Sequence, residues 1–442
     1  MATDNRSAED MAIHHSSPTD LTRGASQEST TGALNRRGFL AKTGLLLGGT
    51  ILAGAGVGAA VEKLKPQPGP SGPTPEQGPQ TEPALFGTET VPFYGPHQAG
   101  IATAPQTHAV VLAFHVDPAI GKDGAKRLLR ILSQDAQRLS QGEPSLTDAE
   151  PELATNPANL TVTVGLGPNF FDYAQISQHK PGWLKQLPGY RIDALEERWN
   201  EGDLVIQLCG DDEIAVAHAR RILTRQIARF AQVKWAQRGF KQSRGSQAGD
   251  TTMRNLMGQV DGTANLPVTD HDELLWCGPD QGIWEGGTSM VVRRIAMNLD
   301  TWDEVDRIAR EDSVGRTLSN GAPLTGTNEH DVPDFDAVSR LGFPIIPDYS
   351  HVRRSRPDDP KQRIWRRAYN YDDAPLDGHS SNSGLVFISF QADVDRQYAP
   401  IQERLAEMDA LNEWTTPIGS AVFAVLPGCQ PGQYLGQTLL ET

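Results

Sequence analysis

Between residues 107 and 240 the spacing of apolar positions changes period four times. THAVVLAFHV (107–116) mixes β-branched and aromatic residues at strand length. GAKRLLRILSQDAQRLSQG (124–142) has apolar residues at helical spacing, charge on the opposite face, and Gly142 as a stop. ANLTVTVGLG (158–167) and DLVIQLCG (203–210) read as strands. DEIAVAHARRILTRQIARFAQ (212–232) is an amphipathic helix with an acidic start, and VKWAQRGF (233–240) is a closing strand. The order strand, helix, strand, strand, helix, strand is the ferredoxin-like pattern, which predicts an antiparallel sheet with helices on one face.

The second half repeats the pattern less neatly. SMVVRRIAMNL (289–299) is a strand, and TWDEVDRIARED (301–312) starts with a Thr cap and forms a short helix. GLVFISFQADV (384–394), PIQERLAEMDALNEW (400–414) and GSAVFAVLPG (419–428) follow as strand, helix and strand. The expected fold class is α+β, with two ferredoxin-like domains at 92–248 and 249–442. Between the elements of the second lies a polar stretch, about 315 to 383, without strong periodicity. Segments of that length are uncommon in compact domains and are usually functional.

Ahead of both halves, NRRGFLAKTGLLLGGTILAGAGVGAAVEK places Arg36 and Arg37 before an uncharged run from Thr43 to Val61 that is rich in Gly and Ala. A transmembrane helix needs about 20 strongly apolar residues, which this run is not. It looks like a twin-arginine export signal over 1–62, with small residues at Ala53-Gly54-Ala55 and Ala59-Ala60 for cleavage; a retained anchor is the alternative. That route carries folded proteins, often with a cofactor already inserted, so a buried cofactor is expected. Residues 63–91 are Pro- and Gly-rich and read as a solvated linker.

Charge and cysteine usage narrow the chemistry. A formal charge of -15 over 442 residues excludes a nucleic-acid binder, which needs a basic surface. Cys209, Cys277 and Cys429 form no C-x-x-C pair, which excludes a disulfide scaffold, a Cys-rich zinc site and a Cys-ligated cluster. Any metal is therefore carried by a cofactor or held by His and carboxylates.

Two places carry candidate chemistry. RNLMGQVDGTANL (254–266) sets Asp261 between Gly258 and Gly262, which also reads as an ordinary hairpin turn. PDYSHVRRSRPDD and RIWRRAYNYDD bring His351, then Arg353, Arg354 and Arg356, then Arg366 and Arg367. Asp358, Asp359, Asp372 and Asp373 beside them would serve a plain salt-bridge network equally well. Taken in order, however, G-x-x-D-G, then S-H-x-R some ninety residues on, then R-R-x-Y-x-Y resembles the dye-decolorizing peroxidases, and most of all the exported branch that includes bacterial deferrochelatase/peroxidases. The likeness runs from PFYGPHQAGI (92–101) to PIGSAVFAVLPG (417–428).

That resemblance implies one haem b per chain, held in the C-terminal half. His351 corresponds to the proximal iron ligand, its second nitrogen donating to an acceptor, for which Asp409 is the candidate and Glu413 the alternative. Asp261 corresponds to the distal acid/base and Arg366 to the distal arginine. Gly262, Thr263 and Ala264 would run along the haem edge, and Arg356 and Pro357 match a haem-contacting segment. Two departures stand out: Asp358 follows Pro357 where relatives often carry a basic residue, and Gln259 replaces a frequent aromatic. Trp365, Tyr369 and Tyr371 read either as packing residues or as a path for electrons from bulky substrates.

The implied reaction is peroxide reduction coupled to oxidation of phenols or dyes. Peroxide must lose a proton from one oxygen and gain one on the other before the O–O bond breaks, a task for a carboxylate beside the iron. A guanidinium stabilises charge on the leaving oxygen. The rivals are removal of iron from haem during iron acquisition, beside an iron-uptake permease, and a haem carrier or sensor without turnover. The expected location is periplasm, cell envelope or medium, and a homodimer is the expected assembly.

Overall fold

A computed structural model describes residues 85–442; the expected export signal and most of the expected linker lie outside the described residues. Nine strands form one sheet: β1 (His108–Val116), β2 (Thr161–Leu166), β3 (Leu204–Gly210), β4 (Ala231–Phe240), β5 (Thr288–Met297), β6 (Trp365–Arg366), β7 (Tyr369–Asp373), β8 (Asn382–Gln391) and β9 (Thr415–Val425). All pairings are antiparallel. The order is β5-β9-β2-β3-β1-β4-β7-β8-β6, and β5 also pairs with β8, which closes the sheet into a barrel. The first half supplies β2-β3-β1-β4 and the second β9-β5-β8-β7.

Two short seams join the halves. β2 meets β9 through Gly165↔Val425 and Leu166↔Ala424, and β4 meets β7 through Phe240↔Asn370 alone. Strand alternation then divides the core. In β1, Ala109, Val111 and Ala113 face the barrel interior with Met290, Val292, Val386, Ile388 and Phe423. The intervening Val110, Leu112 and Phe114 face outward against helices. The main helices are α1 (Gly121–Ser140) and α2 (Glu213–Ile227) in the first half, which cover these β1 residues, and α3 (Arg307–Val314), α4 (His351–Ser355) and α5 (Ala399–Met408) in the second.

Several expectations shift. The helix expected over 301–312 with Thr301 as its cap is instead a short turn, Leu299–Trp302, followed by α3. The side chains that cap them are Asn298 and Asp306, which accept from Thr301 N and from the Ile308 and Ala309 amides. Helix α2 stops at Ile227, so β4 begins at Ala231. The stretch from 315 to 383 holds two strands that its polar composition concealed. Along β6 and β7, Trp365, Arg367, Tyr369 and Tyr371 alternate inward. Arg367, 1% exposed, donates to the Thr103 carbonyl and to Gln106 Oε1, so a charged residue occupies a core position. Tyr369 and Tyr371 are buried among barrel residues, and Trp365 donates its ring N–H to the Ile101 carbonyl at 2.8 Å. Packing is therefore the role their surroundings support.

Candidate active site

Outside the barrel, the second half leaves a cavity of about 1210 Å³ against its sheet. Drug-sized ligands usually occupy about 300–1,000 Å³, so this space suits a larger molecule. Its apolar wall comes from Ile295, Met297, Val314, Leu385, Phe387 and Leu405. Every site residue expected from the sequence lines it: Asp261, Gly262, Thr263, Ala264, His351, Arg356, Pro357, Arg366 and Asp409. Glu413 does not, and is exposed.

His351 opens α4. Its Nδ1 lies 2.6 Å from Asp409 Oδ2. Asp409 follows α5 directly and also accepts from Leu411 N at 3.0 Å, so both carboxylate oxygens are fixed. With Nδ1 engaged, Nε2 is the nitrogen left for the cavity, where the ring keeps 35% exposure. Burial pulls the imidazole pKa down, but the Asp409 charge and hydrogen bond, with Asp261 adding to them, outweigh it, so the net shift is upward. Of the two carboxylates weighed from the sequence, the hydrogen bond selects Asp409.

The opposite group begins with the turn at 254–262. Arg254 pairs with Val260 across it, and Gly258 and Gly262 take φ of 90° and 135°, which disfavour any side chain. Asp261 N donates to Met253 O, and Asn255 Nδ2 approaches Asp261 Oδ2 at 3.4 Å. The other oxygen, Oδ1, accepts from Arg366 Nη1 at 3.2 Å. Alternation along β6 decides which arginine of the pair does this: Arg366 points to the cavity and Arg367 into the barrel. Asn265 holds the Arg366 backbone at both groups, accepting from its N–H at 2.7 Å and donating to its carbonyl at 2.8 Å.

The arginines after His351 divide their tasks. Arg353 donates to the carbonyls of Phe335 and Ile346, and Arg354 to Arg404 O and the Glu407 carboxylate. Arg356 stacks its guanidinium over Phe335 at 5.7 Å and has no hydrogen-bond partner among the described residues. Sequence reasoning missed Arg316, a cavity residue bonded to the carbonyls of Gly321 and Glu329. Burial draws its pKa below the ordinary value, with Glu329 opposing. It also missed Glu329, whose Oε1 takes the hydroxyls of Thr252 and Thr263 and so ties the glycine turn to a later loop. Neither lies in a motif, and only the fold brings them near.

The donor set fits a haem. One imidazole is oriented by a carboxylate, small residues border an apolar slot, and Arg356 is free for an acidic side group.

Comparisons with known proteins agree. The family models for Dyp-type peroxidase, N-terminal, and Dyp-type peroxidase, C-terminal, match residues 98–241 and 252–430. The chain is 35% identical over 426 residues to the dye-decolorizing peroxidase of Thermobifida fusca, covering 92% of this chain and 97% of that one. It is 31% identical over 418 residues to the deferrochelatase of Escherichia coli O157:H7, covering 89% and 95%. Among solved structures, a DyP-type peroxidase from Cellulomonas bogoriensis superposes with a TM-score of 0.80 at 51% identity, over 81% of this chain and 100% of that one. Ferric DtpA from Streptomyces lividans gives 0.78 at 36% identity, over 81% and 98%.

Proposed function

Because the chain belongs to the Dyp-type peroxidase family, haem oxidoreductases that use hydrogen peroxide, we propose that it is an exported haem b peroxidase acting on phenolic or dye-like substrates. The observation that carries this reading is the convergence of His351–Asp409 and Asp261–Arg366 on one cavity. Bound haem supplies the iron at which the peroxide bond is reduced. The protein's residues handle orientation and protons. His351 would hold the iron through Nε2 while Asp409 keeps Nδ1 as the protonated nitrogen. Asp261 takes the proton from one peroxide oxygen and returns it to the other. The Arg366 guanidinium, paired with that carboxylate, would stabilise the charge that develops on the departing oxygen. Arg356 would meet a propionate.

On architecture, we read each half as ferredoxin-like, because β4-β1-β3-β2 and β9-β5-β8-β7 have the same order and connectivity. Superposing the Cα atoms of the halves tests this, and failure of these four strands to coincide would remove it. Export rests on Arg36-Arg37 and the uncharged run behind them. It predicts a precursor that exchanging both arginines for lysine retains in the cytoplasm; unchanged export of that variant would exclude the route.

The deferrochelatase relatives support a second reading, release of iron from haem with the porphyrin kept whole, beside a permease. The Asp261–Arg366 pair favours peroxide turnover over a haem carrier without turnover, and the two active readings part on their products. Holoenzyme given peroxide and a phenolic dye should yield oxidised dye, and given excess haem alone should leave it intact. Free protoporphyrin in the second arm with no dye oxidation in the first would reverse the assignment.

A further inference from the structure

Behind His351, the carboxylate that orients it stands between two helix ends, capping the short 3-10 turn Ala410–Glu413 through Leu411 N while it closes α5. Asp409 is the first residue past α5, at the negative end of that helix, where a carboxylate is disfavoured. Its side chain is only 4% exposed, so water offers little compensation. The last carbonyls of the helix also need donors.

Two guanidiniums meet both needs. Arg354, three residues after His351, donates from Nε and Nη2 to Arg404 O, both at 3.3 Å. Arg191 donates from Nε to Ala406 O at 2.5 Å and from Nη2 to Glu407 O. Arg354 belongs to the helix His351 begins, but Arg191 comes from the other half, in the connection between β2 and β3. That connection is tied down on either side of the arginine's neighbours: Asp193 pairs with buried Arg293, Ala194 N donates to Pro417 O at 3.0 Å, and Glu196 N to Ile418 O at 2.9 Å. Ile192, the next residue, lines the cavity.

We propose that Arg191 is a positioning residue for the proximal imidazole: by capping the carbonyls of Ala406 and Glu407, it offsets the negative helix end and holds Asp409 on His351 Nδ1. The first half thereby sets the electron-donating power of a ligand in the second. The inference rests on the reading of His351 as the iron ligand. Loss of Arg191 would release the end of α5, loosen the Asp409–Nδ1 hydrogen bond, make the imidazole a poorer donor and favour reduced over oxidised iron.

The test uses holoenzyme and the variants Arg191→Ala, Arg191→Lys, Asp409→Asn and the Ala/Asn pair. The readouts are the ferric/ferrous midpoint potential and the rate of haem transfer to a haem-free globin. Arg191→Ala is expected to raise the potential in the same direction as Asp409→Asn and to speed haem loss roughly ten-fold. Arg191→Lys, which keeps the charge, restores most of both, and the double variant adds nothing to the potential of Asp409→Asn. An unchanged potential and haem transfer rate in Arg191→Ala, whatever its melting temperature, would overturn the proposal. So would a full further shift in the Asp409→Asn background. Should Arg191→Ala not fold, Arg191→Gln provides the same readouts. His351→Ala separates the two layers: a wild-type Soret spectrum there removes the ligand reading itself, whereas loss of ligation there with a silent Arg191 series removes only this inference.

Discussion

The two halves of the barrel share a strand order and differ in what covers the outer face. In the first, α1 has 20 residues and α2 has 15, and they pack on one another and on the sheet, leaving a pocket of about 390 Å³ beside α2, a third the volume of the cavity in the second. In the second, the elements at equivalent places, α3 and α5, have 8 and 10 residues, and the cavity lies between them. Shortening a helical layer leaves sheet residues such as Leu385 and Phe387 facing space that something apolar must fill.

Each half also contains an imidazole–carboxylate pair. His218 of α2 meets Asp148 at 2.8 Å with both side chains at most 2% exposed, so the pair ties a loop to a helix and is sealed from solvent. His351 and Asp409 are as close, at 2.6 Å, yet the ring opens on the cavity. Chemistry depends here on which pair has a free nitrogen facing space, and not on the pair itself.

The sharpest way to break that contrast is to remove each histidine. His351→Ala should lose the Soret band and bring peroxidase activity to background while the chain still folds. His218→Ala should keep the spectrum and lower stability by about 3 kcal/mol, because it strands a buried carboxylate. Absorbance and thermal melts read both, and a bleached His218 variant would show the two sites coupled.

Within the open half, Asp261→Asn and Arg366→Leu are each expected to slow the reaction with peroxide by about 10²–10³-fold, measured by stopped-flow, with haem content unchanged. Normal rates in both would remove their assigned roles. A smaller loss, about ten-fold, is expected for Asn265→Ala, which frees the Arg366 backbone without touching its charge. The crystal structure of that variant would show whether the guanidinium has left Asp261.

The closed half offers an effect on stability alone. Burial pushes the Glu201 carboxyl up to about 7, with Lys234 opposing. A raised acid binds its proton more tightly when folded, so stability is fullest below the ordinary value of 4.5 and declines as pH rises through about 7. Replacing Glu201 with Gln should flatten that decline, worth on the order of 2 kcal/mol, in denaturant titrations at pH 5 and 8. Equal slopes in the two proteins would show that the carboxyl is already hydrated.

Much of this was legible locally. The strands of the first half appear near their expected bounds because their apolar residues alternate or run unbroken. The strands at 365–373 did not, because Arg367 sits inward and is satisfied by Thr103 and Gln106, more than 250 residues earlier. A rule that equates buried with apolar cannot see such a position. The end of α5 was overrun for a related reason: Asp409 leaves the helix to reach His351, 58 residues away.

By itself, the sequence determined the alternating and helical patterns, the glycine turn that only positive φ satisfies, and the ordered set of acid, imidazole and arginine that identifies the family. Tertiary structure alone decided that two seams of one and two residue pairs close the barrel, that Arg366 rather than Arg367 meets Asp261, that Asp409 rather than Glu413 meets His351, and that one histidine pair opens on a cavity while the other is sealed. The physical reason is range. Periodicity and turn preference act between neighbours, whereas those choices depend on groups brought together from distant parts of the chain, where packing and the need to satisfy buried polar atoms select the partner.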